Sequence, residues 1–365
     1  MKINITGPAN PLGYGVVGIN VLKALHASGH NVSYWPIGPI DAAPTDVALI
    51  QEMINNQGAY SADAPSLKIW HQHDLAQHVG KGSHCAFPIF ELDTFTEREL
   101  CHLSHQDMIF TCSKWAAGIV LDNLRTYLDS VHRYDEIRVY VAPLGVDREI
   151  FYDTPIPESN DNYTVFLNVG KWEVRKGHDI LIQAFQKAFR KDDKAELWMM
   201  NHNPFLSKQE DNEWKRLYKG EIGENQVKFM NRVKSHKDVA DIMRMVDCGV
   251  FPSRAEGWNL EAIEMMSCGR QIIVTDYSAH TEFCNTENSH LIDIDSLEPA
   301  FDGIWFKGQG KWAKIRDKQI DQLATHMRKI HEQKQSGEDI FNLSGVETSK
   351  KFSWANTADS IVRNL

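Results

Sequence analysis

The chain has 365 residues, more than one hydrophobic core usually supports, so two domains are expected. Its composition, with 42% hydrophobic and 24% charged residues, is that of an ordinary globular protein. The formal net charge of −10 argues against extended nucleic-acid binding, which requires a basic surface. The cysteines show no CxxC spacing, and neither a secretory signal nor a transmembrane segment is recognisable, so the sequence predicts a cytoplasmic protein.

The chain opens with the pattern of a strand–helix–strand unit. A strand is predicted at 2–6, then a loop at 7–15, a helix to about residue 27 and a second strand at 32–37. Residues 13–18 match G-x-G-x-x-G, a pattern typical of dinucleotide binding. The first glycine comes well after the strand, and the second strand ends without an acid for a ribose, so an NAD site is rejected. A flexible glycine loop is the alternative that fits.

Two further strands, predicted at 66–70 and 85–90, end in polar side chains. These side chains are His71, Gln72, His73 and Asp74 after the first strand, and Glu91 and Asp93 after the second. Parallel α/β sheets place their sites at the carboxyl ends of strands, so both groups are candidate site residues. The histidines could bind a metal, but a third ligand at helical spacing is missing, and His78 and His84 are the remaining candidates. Histidines that only pack or face solvent are an equal alternative.

The other predicted elements alternate in the same way. They are strands at 108–113, 139–143, 164–169, 196–200, 227–231, 248–251 and 271–275, and helices from 114 and at 180–189, 239–246 and 314–335. A polar, proline-containing stretch at 152–162 is the predicted linker between the domains. Residues 201–223 have no clear period and are interpreted as an insertion near the acceptor. The strongly charged helix at 314–335 is predicted to be solvated.

A basic motif follows the first strand of the second half. It places Lys171, Arg175 and Lys176 between the strand at 164–169 and the helix at 180–189. Basic residues on a loop often have no specific role. This group follows a strand end and precedes a helix, and that setting favours a functional site.

The most informative stretch is 251–264, where a strand, a polar turn and a helix follow one another. The backbone N–H groups at the start of that helix are expected to be unpaired and available to an anion. They belong to Gly257, Trp258 and Asn259. Glu256 precedes the turn and Glu264 lies inside the helix, with seven residues between them. Two surface acids on an ordinary strand–turn–helix are the alternative interpretation.

Together, the two motifs resemble those of retaining glycosyltransferases of the GT-B fold, in family 4 (glycosyl transferases group 1). The resemblance covers most of the chain. It implies an α/β protein with two Rossmann-like domains facing a cleft. The acceptor-side domain would cover 1–152, the nucleotide-sugar donor domain 163–345, and a C-terminal helix within 346–365 would cross back to the first domain.

The resemblance also implies residue roles. The catalytic residues would be Glu256, which contacts the donor sugar, Lys176 and His73. The donor diphosphate would be bound by Gly15, Lys171, Lys176, Gly257, Trp258 and Asn259. Glu264 would bind the ribose, and Arg232 and Val233 would bind the base. The candidate acceptor-side residues are Glu91, Asp93 and His71. Lys171 replaces the arginine of the family motif, so a point charge stands where the family has a bidentate group, which Arg175 is a candidate to supply.

The implied function is retaining transfer of a sugar from a UDP- or GDP-linked nucleotide sugar to a glycan or another hydroxyl acceptor. No metal or other cofactor is expected, because the lysines and the helix dipole stabilise the departing diphosphate. Three alternatives stay open. They are a GT-B nucleotide-sugar epimerase, a glycosyltransferase acting on modified bases of nucleic acid, and a non-catalytic nucleotide-sugar-binding protein.

Overall fold

The computed structural model describes residues 1–133, 136, 138–156, 163–219, 226–233 and 235–365. These residues divide into two compact units, Met1–Gly145 with Phe352–Leu365, and Val146–Lys351. The sequence prediction put the corresponding changes at 152–163 and at 346. Residues 157–162 of the predicted linker and 220–223 of the predicted insertion lie outside the described residues.

Strands and helices alternate along the described part of the chain. The strands are β1 (Lys2–Gly7), β2 (Asn31–Pro36), β3 (Ser66–Lys68), β4 (His84–Ala86), β5 (Met108–Thr111), β6 (Val139–Val141), β7 (Thr164–Gly170), β8 (Ala195–Asn201), β9 (Val227–Phe229), β10 (Cys248–Phe251), β11 (Gln271–Thr275), β12 (His290–Ile292), β13 (Leu297–Phe301) and β14 (Lys307–Ala313). The α-helices are α1 (Gly13–Ala27), α2 (Pro44–Asn55), α3 (Glu97–Ser104), α4 (Lys114–Ser130), α5 (His178–Ala188), α6 (Lys208–Arg216), α7 (His236–Arg244), α8 (Leu260–Ser267), α9 (Asp317–Gln335), α10 (Leu343–Ser349) and α11 (Trp354–Val362). Single 3-10 turns lie at Asn56–Ala59, Val174–Lys176 and Ser278–Glu282.

The first unit is built on a parallel sheet, whose order in the described residues is β2-β1-β3-β4-β5-β6. Its inner strands are buried on both faces, as short apolar strands of parallel sheets are. One core cluster of this unit joins β4 and β5 to α3 and α4 through residues such as Ile109 and Val120. Because the strands are parallel, their carboxyl ends all lie at one edge of the sheet.

The glycine-rich stretch begins a helix rather than forming a flexible loop. Helix α1 starts at Gly13, so Gly15 lies in its first turn. A β-carbon on Gly15 would stand 2.2 Å from the carbonyl oxygen of Asn10, and one on Gly18 would stand 2.1 Å from that of Pro8. Both glycines are thus required because the preceding segment lies directly on the helix. The loop predicted at 7–15 is wrong in its second half for this reason.

The second unit repeats the architecture with a parallel sheet in the order β12-β11-β10-β7-β8-β9 across its described residues. An antiparallel hairpin, β13–β14, follows β12 and was not predicted. The core contains Phe166 and Leu197 from the sheet, Phe185 from α5 and Met327 from α9.

Two interpretations of the second half need correction. Helix α9 was expected to be solvated, but its apolar stripe, which includes Leu323 and Met327, is fully buried in the core. The stripe was obscured by the many charges on the opposite face.

The stretch interpreted as an insertion contains α6, which starts with a capping box of Ser207 and Glu210. After this helix, Tyr218 is buried and donates a hydrogen bond to the His178 carbonyl oxygen at 2.8 Å.

The final helix, α11, belongs to the first unit. The Thr357 hydroxyl donates to the carbonyl oxygen of Pro143 at 2.6 Å. A β-carbon on Gly145 would lie 2.1 Å from the backbone nitrogen of Trp354, so the chain leaving β6 touches the start of α11. The predicted fold, two Rossmann-like units with a C-terminal helix that returns to the first, is confirmed. No helix among the described residues has the length and apolarity needed to cross a bilayer.

Candidate functional site

The loops after β7 and β10 form the candidate site of the second unit. Because the two strands are neighbours in a parallel sheet, both loops leave from its carboxyl edge. Gly177 has a φ of +74°, and a β-carbon there would stand 2.1 Å from the Pro252 carbonyl oxygen. The glycine of the basic motif thus lets the loop carrying Lys176 lie directly on the loop carrying Glu256.

The Glu256 carboxylate is buried and holds the two loops together. Its Oε1 accepts from the Lys176 ammonium at 2.8 Å and from the Ser253 hydroxyl at 2.7 Å. Its Oε2 accepts from Arg175 Nη1 at 2.8 Å, and the Glu256 backbone N–H donates to the Ser278 hydroxyl at 2.8 Å. A carboxylate has about four acceptor positions. One position, on Oε2, is left for a further donor within the described surroundings.

Glu256 and Lys176 each stabilise the charged form of the other. Burial by itself raises the pKa of Glu256, but the adjacent Lys176 and Arg175 outweigh burial and hold that pKa below its ordinary range. Burial likewise lowers the pKa of Lys176, but the carboxylates of Glu256 and Glu261 outweigh it, and the pKa lies above its ordinary value. Lys176 is therefore a cation and Glu256 an anion at neutral pH.

Both arginines near this pair are engaged inside the protein. Arg175 is buried, and besides Glu256 it donates to the Glu173 carboxylate at 2.8 Å and to the Ala255 carbonyl oxygen at 2.7 Å. The hypothesis that Arg175 supplies a bidentate group to the diphosphate is therefore wrong for this arrangement. Arg254, which the sequence analysis missed, donates hydrogen bonds from both terminal nitrogens to the Asp179 carboxylate, at 3.0 and 2.9 Å.

The turn before α8 is held by a buried hydrogen-bond chain. Asn259 has a φ of +80°, a conformation that asparagine tolerates better than most residues, and its side chain caps α8 by accepting from the Ala262 N–H at 3.2 Å. Its Nδ2 lies 2.8 Å from His280 Nε2, and His280 Nδ1 lies 2.9 Å from the Thr275 carbonyl oxygen. Burial lowers the pKa of His280 to about 4, so the ring is neutral, with Nδ1 donating to Thr275.

Of the backbone groups proposed for anion binding, those of Gly257 and Asn259 donate to no acceptor in the described part of the chain. The side chain of Trp258 is buried, with its ring centroid 5.0 Å from that of Phe283.

Glu264 lies one turn into α8, on the same face as Glu261. Its carboxylate forms no hydrogen bond or ion pair with any described residue, although it is partly buried. Burial raises its pKa well above the ordinary value, and the Glu261 carboxylate raises it further. Glu261 in turn reaches Lys176 electrostatically, and its Oε1 and the Lys176 side chain both lie beside Gly170. Glu256, Lys176, Glu261 and Glu264 thus form one charged cluster at the sheet edge.

The other candidates of the second unit lie around this edge. Lys171 follows β7, with its Nζ 3.7 Å from a Glu173 oxygen and 5.6 Å from the Phe205 ring centroid. Arg232 and Val233 follow the edge strand β9, and Arg232 is exposed. They leave the same edge of the sheet as Lys171, but no contact between described residues joins them to the charged cluster.

In the first unit, several predicted residues meet at the carboxyl edge of β3 and β4. The His71 ring lies 4.5 Å from that of Tyr14, in the first turn of α1, and 5.3 Å from the stacked ring of His73. The Tyr14 hydroxyl donates to the Ile89 carbonyl oxygen at 2.8 Å, just before Glu91. Burial raises the pKa of Tyr14, and the nearby Glu91 carboxylate adds to that shift. Gly15, His71, His73 and Glu91 are thereby brought to one region, and His73 is exposed.

The remaining candidates of the first unit have other surroundings. Asp74 lies 3.7 Å from the buried Lys68 ammonium. His78 stacks on His84 at 4.5 Å, and its Nε2 lies 2.7 Å from Gln106 Oε1. His84 begins β4, at the amino edge of the sheet, so this pair cannot complete a ligand set with His71 and His73. Asp93 is linked to α4 through its carbonyl oxygen, which accepts from Asn123 Nδ2 at 3.1 Å. No three metal-ligating side chains come together among the described residues.

Residues 163–302 match the family model described as glycosyl transferases group 1. This segment carries the group 1 glycosyltransferase domain. The match agrees with the family that the two motifs resemble, and both motifs of the second unit lie within the matched segment. The predicted enzyme class, a glycosyltransferase, agrees with the match.

Known proteins that resemble the chain are consistent with this domain. Mannosylfructose-phosphate synthase of Agrobacterium fabrum is 28% identical over 259 residues, which cover 64% of this chain and 54% of that protein. The chain spans about half the length of the curated relatives it matches, 41% and 54%.

Solved structures extend the likeness to the whole fold. Sucrose-phosphate synthase of Thermosynechococcus elongatus has a TM-score of 0.68 at 16% identity, with 100% of this chain and 98% of that chain covered. HepE of Anabaena, in complex with UDP and glucose, has a TM-score of 0.68 at 15% identity, with 100% and 99% covered. At such identities the likeness shows the GT-B fold and nothing finer.

Several residues of the group 1 domain's site escaped the sequence analysis. They are Ser253, Arg254, Glu261, Ser278 and His280. Glu261 offered a signal, since it shares a helix face with Glu264 at a spacing of three residues. Ser278 and His280 lie beyond the next strand, and only the folded sheet brings them to Glu256 and Asn259.

Proposed function

We propose that the chain is a retaining glycosyltransferase that moves a sugar from a nucleoside-diphosphate sugar to an acceptor hydroxyl. The observation that carries this proposal is the charged cluster at the carboxyl edge of the second sheet. It offers a fixed cation, Lys176, close to the backbone N–H groups of Gly257 and Asn259, which have no acceptor among the described residues. The Glu264 carboxylate, which no described residue pairs with, lies on the helix that follows. A diphosphate needs the first two groups, and a ribose needs the third.

In this proposal Lys176 stabilises the leaving group. The bond between the anomeric carbon and the diphosphate oxygen breaks, and its electron pair leaves with the diphosphate as new negative charge. Lys176 is already cationic and its side chain is only 12% exposed, so it needs little reorganisation to meet that charge. Lys171, at the end of the same loop, adds a second and more exposed cation.

Glu256 has two roles in this mechanism. It anchors Lys176 through the 2.8 Å ion pair, and its remaining acceptor position on Oε2 is available to one hydroxyl of the donor sugar. Arg175 and Ser253 fix the orientation of the carboxylate. A carboxylate held by three donors is a poor nucleophile, which favours a reaction without a covalent sugar–Glu256 intermediate.

We therefore infer attack from the face that the diphosphate leaves. The acceptor oxygen forms the new bond to the anomeric carbon, and its proton passes to the departing phosphate oxygen. The configuration of the donor is kept. His73, exposed at the carboxyl edge of the first sheet, would orient the sugar, with His71, Glu91 and Asp93 on the acceptor side.

For the donor, we propose that Glu264 accepts hydrogen bonds from the ribose hydroxyls and that the loop after β9, with Arg232 and Val233, contacts the base. Gly15 would approach the phosphates from the first turn of α1. The Anabaena neighbour binds UDP and glucose, so UDP-sugars are the first donors to test, followed by GDP-sugars. The acceptor would be a glycan or another hydroxyl compound, and no metal or cofactor is proposed to take part.

The first experiment is a thermal-shift panel of UDP- and GDP-sugars, followed by donor hydrolysis and transfer assays on those that bind. We expect one nucleotide sugar to raise the melting temperature and to be hydrolysed slowly without acceptor. Glu264→Ala should abolish the shift, whereas Glu287→Ala, an exposed acid after the 3-10 turn Ser278–Glu282, should keep it. No shift with any nucleotide sugar would refute the proposal.

The same assays separate the alternatives. An epimerase would convert the donor to a stereoisomer when incubated alone. A non-catalytic binding protein would show the thermal shift but no hydrolysis or transfer with any acceptor. A nucleic-acid glucosylating enzyme would need duplex or single-stranded DNA as acceptor and would lose binding steeply with salt.

A further inference from the structure

The hairpin β13–β14 and the loop after β8 expose large apolar side chains. Phe301 is 62% exposed, Phe205 60%, Trp305 55% and Ile304 53%. Single apolar residues on a surface are ordinary, whereas a contiguous exposed apolar patch is typical of an interaction site. Neither motif of the group 1 domain includes these residues.

Phe205 and Trp305 form such a contact. Their ring centroids lie 5.9 Å apart with an interplanar angle of 69°. Phe205 lies in the loop after β8, and Trp305 lies in the turn of the hairpin. The pair, called here the aromatic platform, thus presents two ring faces at an angle to each other, and both rings remain more than half exposed.

The turn that carries Trp305 is rigid. One oxygen of the Asp302 carboxylate accepts from the backbone N–H groups of Ile304, Trp305 and Phe306, each at 2.8 Å. The Asp302 N–H closes the turn on the Phe306 carbonyl oxygen at 2.9 Å. Trp305 is therefore held out to solvent by a fixed backbone, so little conformational entropy is lost when a ligand packs on it.

The loop that carries Phe205 is equally constrained. The buried side chain of Asn203 accepts from the Phe205 N–H at 3.0 Å and donates to the Trp172 carbonyl oxygen at 3.0 Å. Trp172 directly follows Lys171, so the loop after β8 is fastened to the loop that carries the diphosphate cations. Phe205 is exposed on a well-ordered segment.

A continuous line of contacts connects the platform to the proposed reaction site. The Lys171 ammonium lies 5.6 Å from the Phe205 centroid and 3.7 Å from Glu173 Oε1. Glu173 Oε2 lies 2.8 Å from Arg175, which lies 2.8 Å from Glu256. A molecule that packs on Phe205 is therefore next to a cation assigned to the diphosphate.

We propose that the aromatic platform binds a sugar ring of the acceptor, which makes the acceptor a carbohydrate. This inference rests on the proposed function, in which Glu264 holds the ribose, Arg232 and Val233 the base, and Lys171 and Lys176 the diphosphate. Those assignments account for every part of the nucleotide. The acceptor-side residues proposed above, His71, Glu91 and Asp93, are all polar, so the platform supplies the apolar contact for a sugar ring of the acceptor. The C–H face of a pyranose is apolar and packs on an aromatic ring, while its hydroxyl groups stay free for hydrogen bonds.

The test uses the full chain and the variants Phe205→Ala and Trp305→Ala. Phe301→Ala is the matched control, because Phe301 is equally exposed on the same hairpin but outside the platform. Each protein is applied with UDP to a printed glycan array, and the carbohydrates that bind are then titrated by calorimetry. We expect the parent and the control to bind one class of carbohydrate, and each platform variant to bind it about tenfold more weakly, since an aromatic contact is lost.

Nucleotide-sugar affinity, measured on the same proteins, should be unchanged in all variants. The inference is overturned if the parent binds no carbohydrate, or if both platform variants bind as the parent does. It is also overturned if the variants lose nucleotide-sugar affinity, which would assign the platform to the base. Loss of binding to phosphatidylglycerol vesicles with unchanged carbohydrate binding would overturn it in favour of a membrane surface. A failure of the proposed function is distinguishable from a failure of this inference, because the parent protein would then bind no nucleotide sugar.

Discussion

Removing the charge of Lys176 is the sharpest test of the site's electrostatics. The Lys176 ammonium lies 2.8 Å from Glu256, with side chains only 12% and 5% exposed. At an effective dielectric of about 20, that separation corresponds to about 6 kcal/mol of attraction, against desolvation costs of several kcal/mol per ion. Breaking a buried pair typically costs about 3–5 kcal/mol. Because Glu256 keeps Arg175 and Ser253, we expect Lys176→Met to lower the free energy of unfolding by about 2 kcal/mol.

The partner substitution should be more harmful. Glu256→Gln leaves two buried cations, Lys176 and Arg175, without the anion they share, so its cost should exceed that of Lys176→Met. The double variant should be more stable than the sum of the two losses predicts, since it removes one cation together with the anion. Urea denaturation followed by tryptophan fluorescence measures all three free energies of unfolding. Lys187→Met is the control, because that lysine pairs with Asp321 on the surface.

The same variant separates catalysis from stability. At a temperature where Lys176→Met remains folded, turnover of the nucleotide sugar should fall about 100-fold or more, as when one preorganised donor to a developing charge is removed. Lys187→Met should retain full turnover. Near-native turnover of Lys176→Met would remove that lysine from the leaving-group site. Unchanged stability with no coupling to Glu256 would refute the buried ion pair.

The other predictions concern the donor and the stereochemistry. Glu264→Gln should weaken nucleotide-sugar binding about tenfold, because hydrogen bonds to a charged acceptor contribute about 1.5–3 kcal/mol. Burial raises the pKa of Glu264, so its carboxylate is protonated as pH falls through that raised pKa. Calorimetry should show the parental affinity weakening over the same pH range and the affinity of the variant unchanged. Transfer activity should survive EDTA, and loss on chelation that a divalent ion restores would contradict this. Proton NMR of the first-formed product should show the donor's anomeric configuration, and an inverted product would exclude the proposed mechanism. His73→Ala should slow turnover without accumulating a covalent intermediate.

The sequence located the site through two local patterns. Glu256 and Glu264 lie on one strand–turn–helix, and Lys171 and Lys176 lie on another, so the family resemblance could single them out as candidates from local sequence alone. It did not show that Lys176 is buried, because the burial comes from a loop about 80 residues away. Arg175 was misjudged for the same reason: on its own strand end it looks free, and only the packed Ala255 and Glu256 show that it is used.

The fold was predictable where apolar runs were long and separated by glycine or proline. The hairpin β13–β14 was missed because several of its positions carry Gly, Lys or Gln, and because two of its apolar residues, Leu297 and Phe301, face solvent. Helix α9 was found, but its burial was not, since charges outnumber the apolar stripe that packs into the core. In both cases the residues that determine which side chains are buried lie elsewhere in the chain.

The environment of Glu256 combines a role predicted from local sequence with contacts that only the folded structure shows. The resemblance assigned this residue to the donor sugar, yet the described structure uses most of its acceptor capacity to hold Lys176, Arg175 and Ser253. The two roles are compatible because the contacts of the described residues leave one position on Oε2. They also affect different quantities. Loss of the sugar contact weakens the nucleotide sugar but not the free nucleoside diphosphate, whereas displacement of Lys176 weakens both. Comparing these two ligands on Glu256→Gln therefore shows which role of the carboxylate contributes more to donor binding.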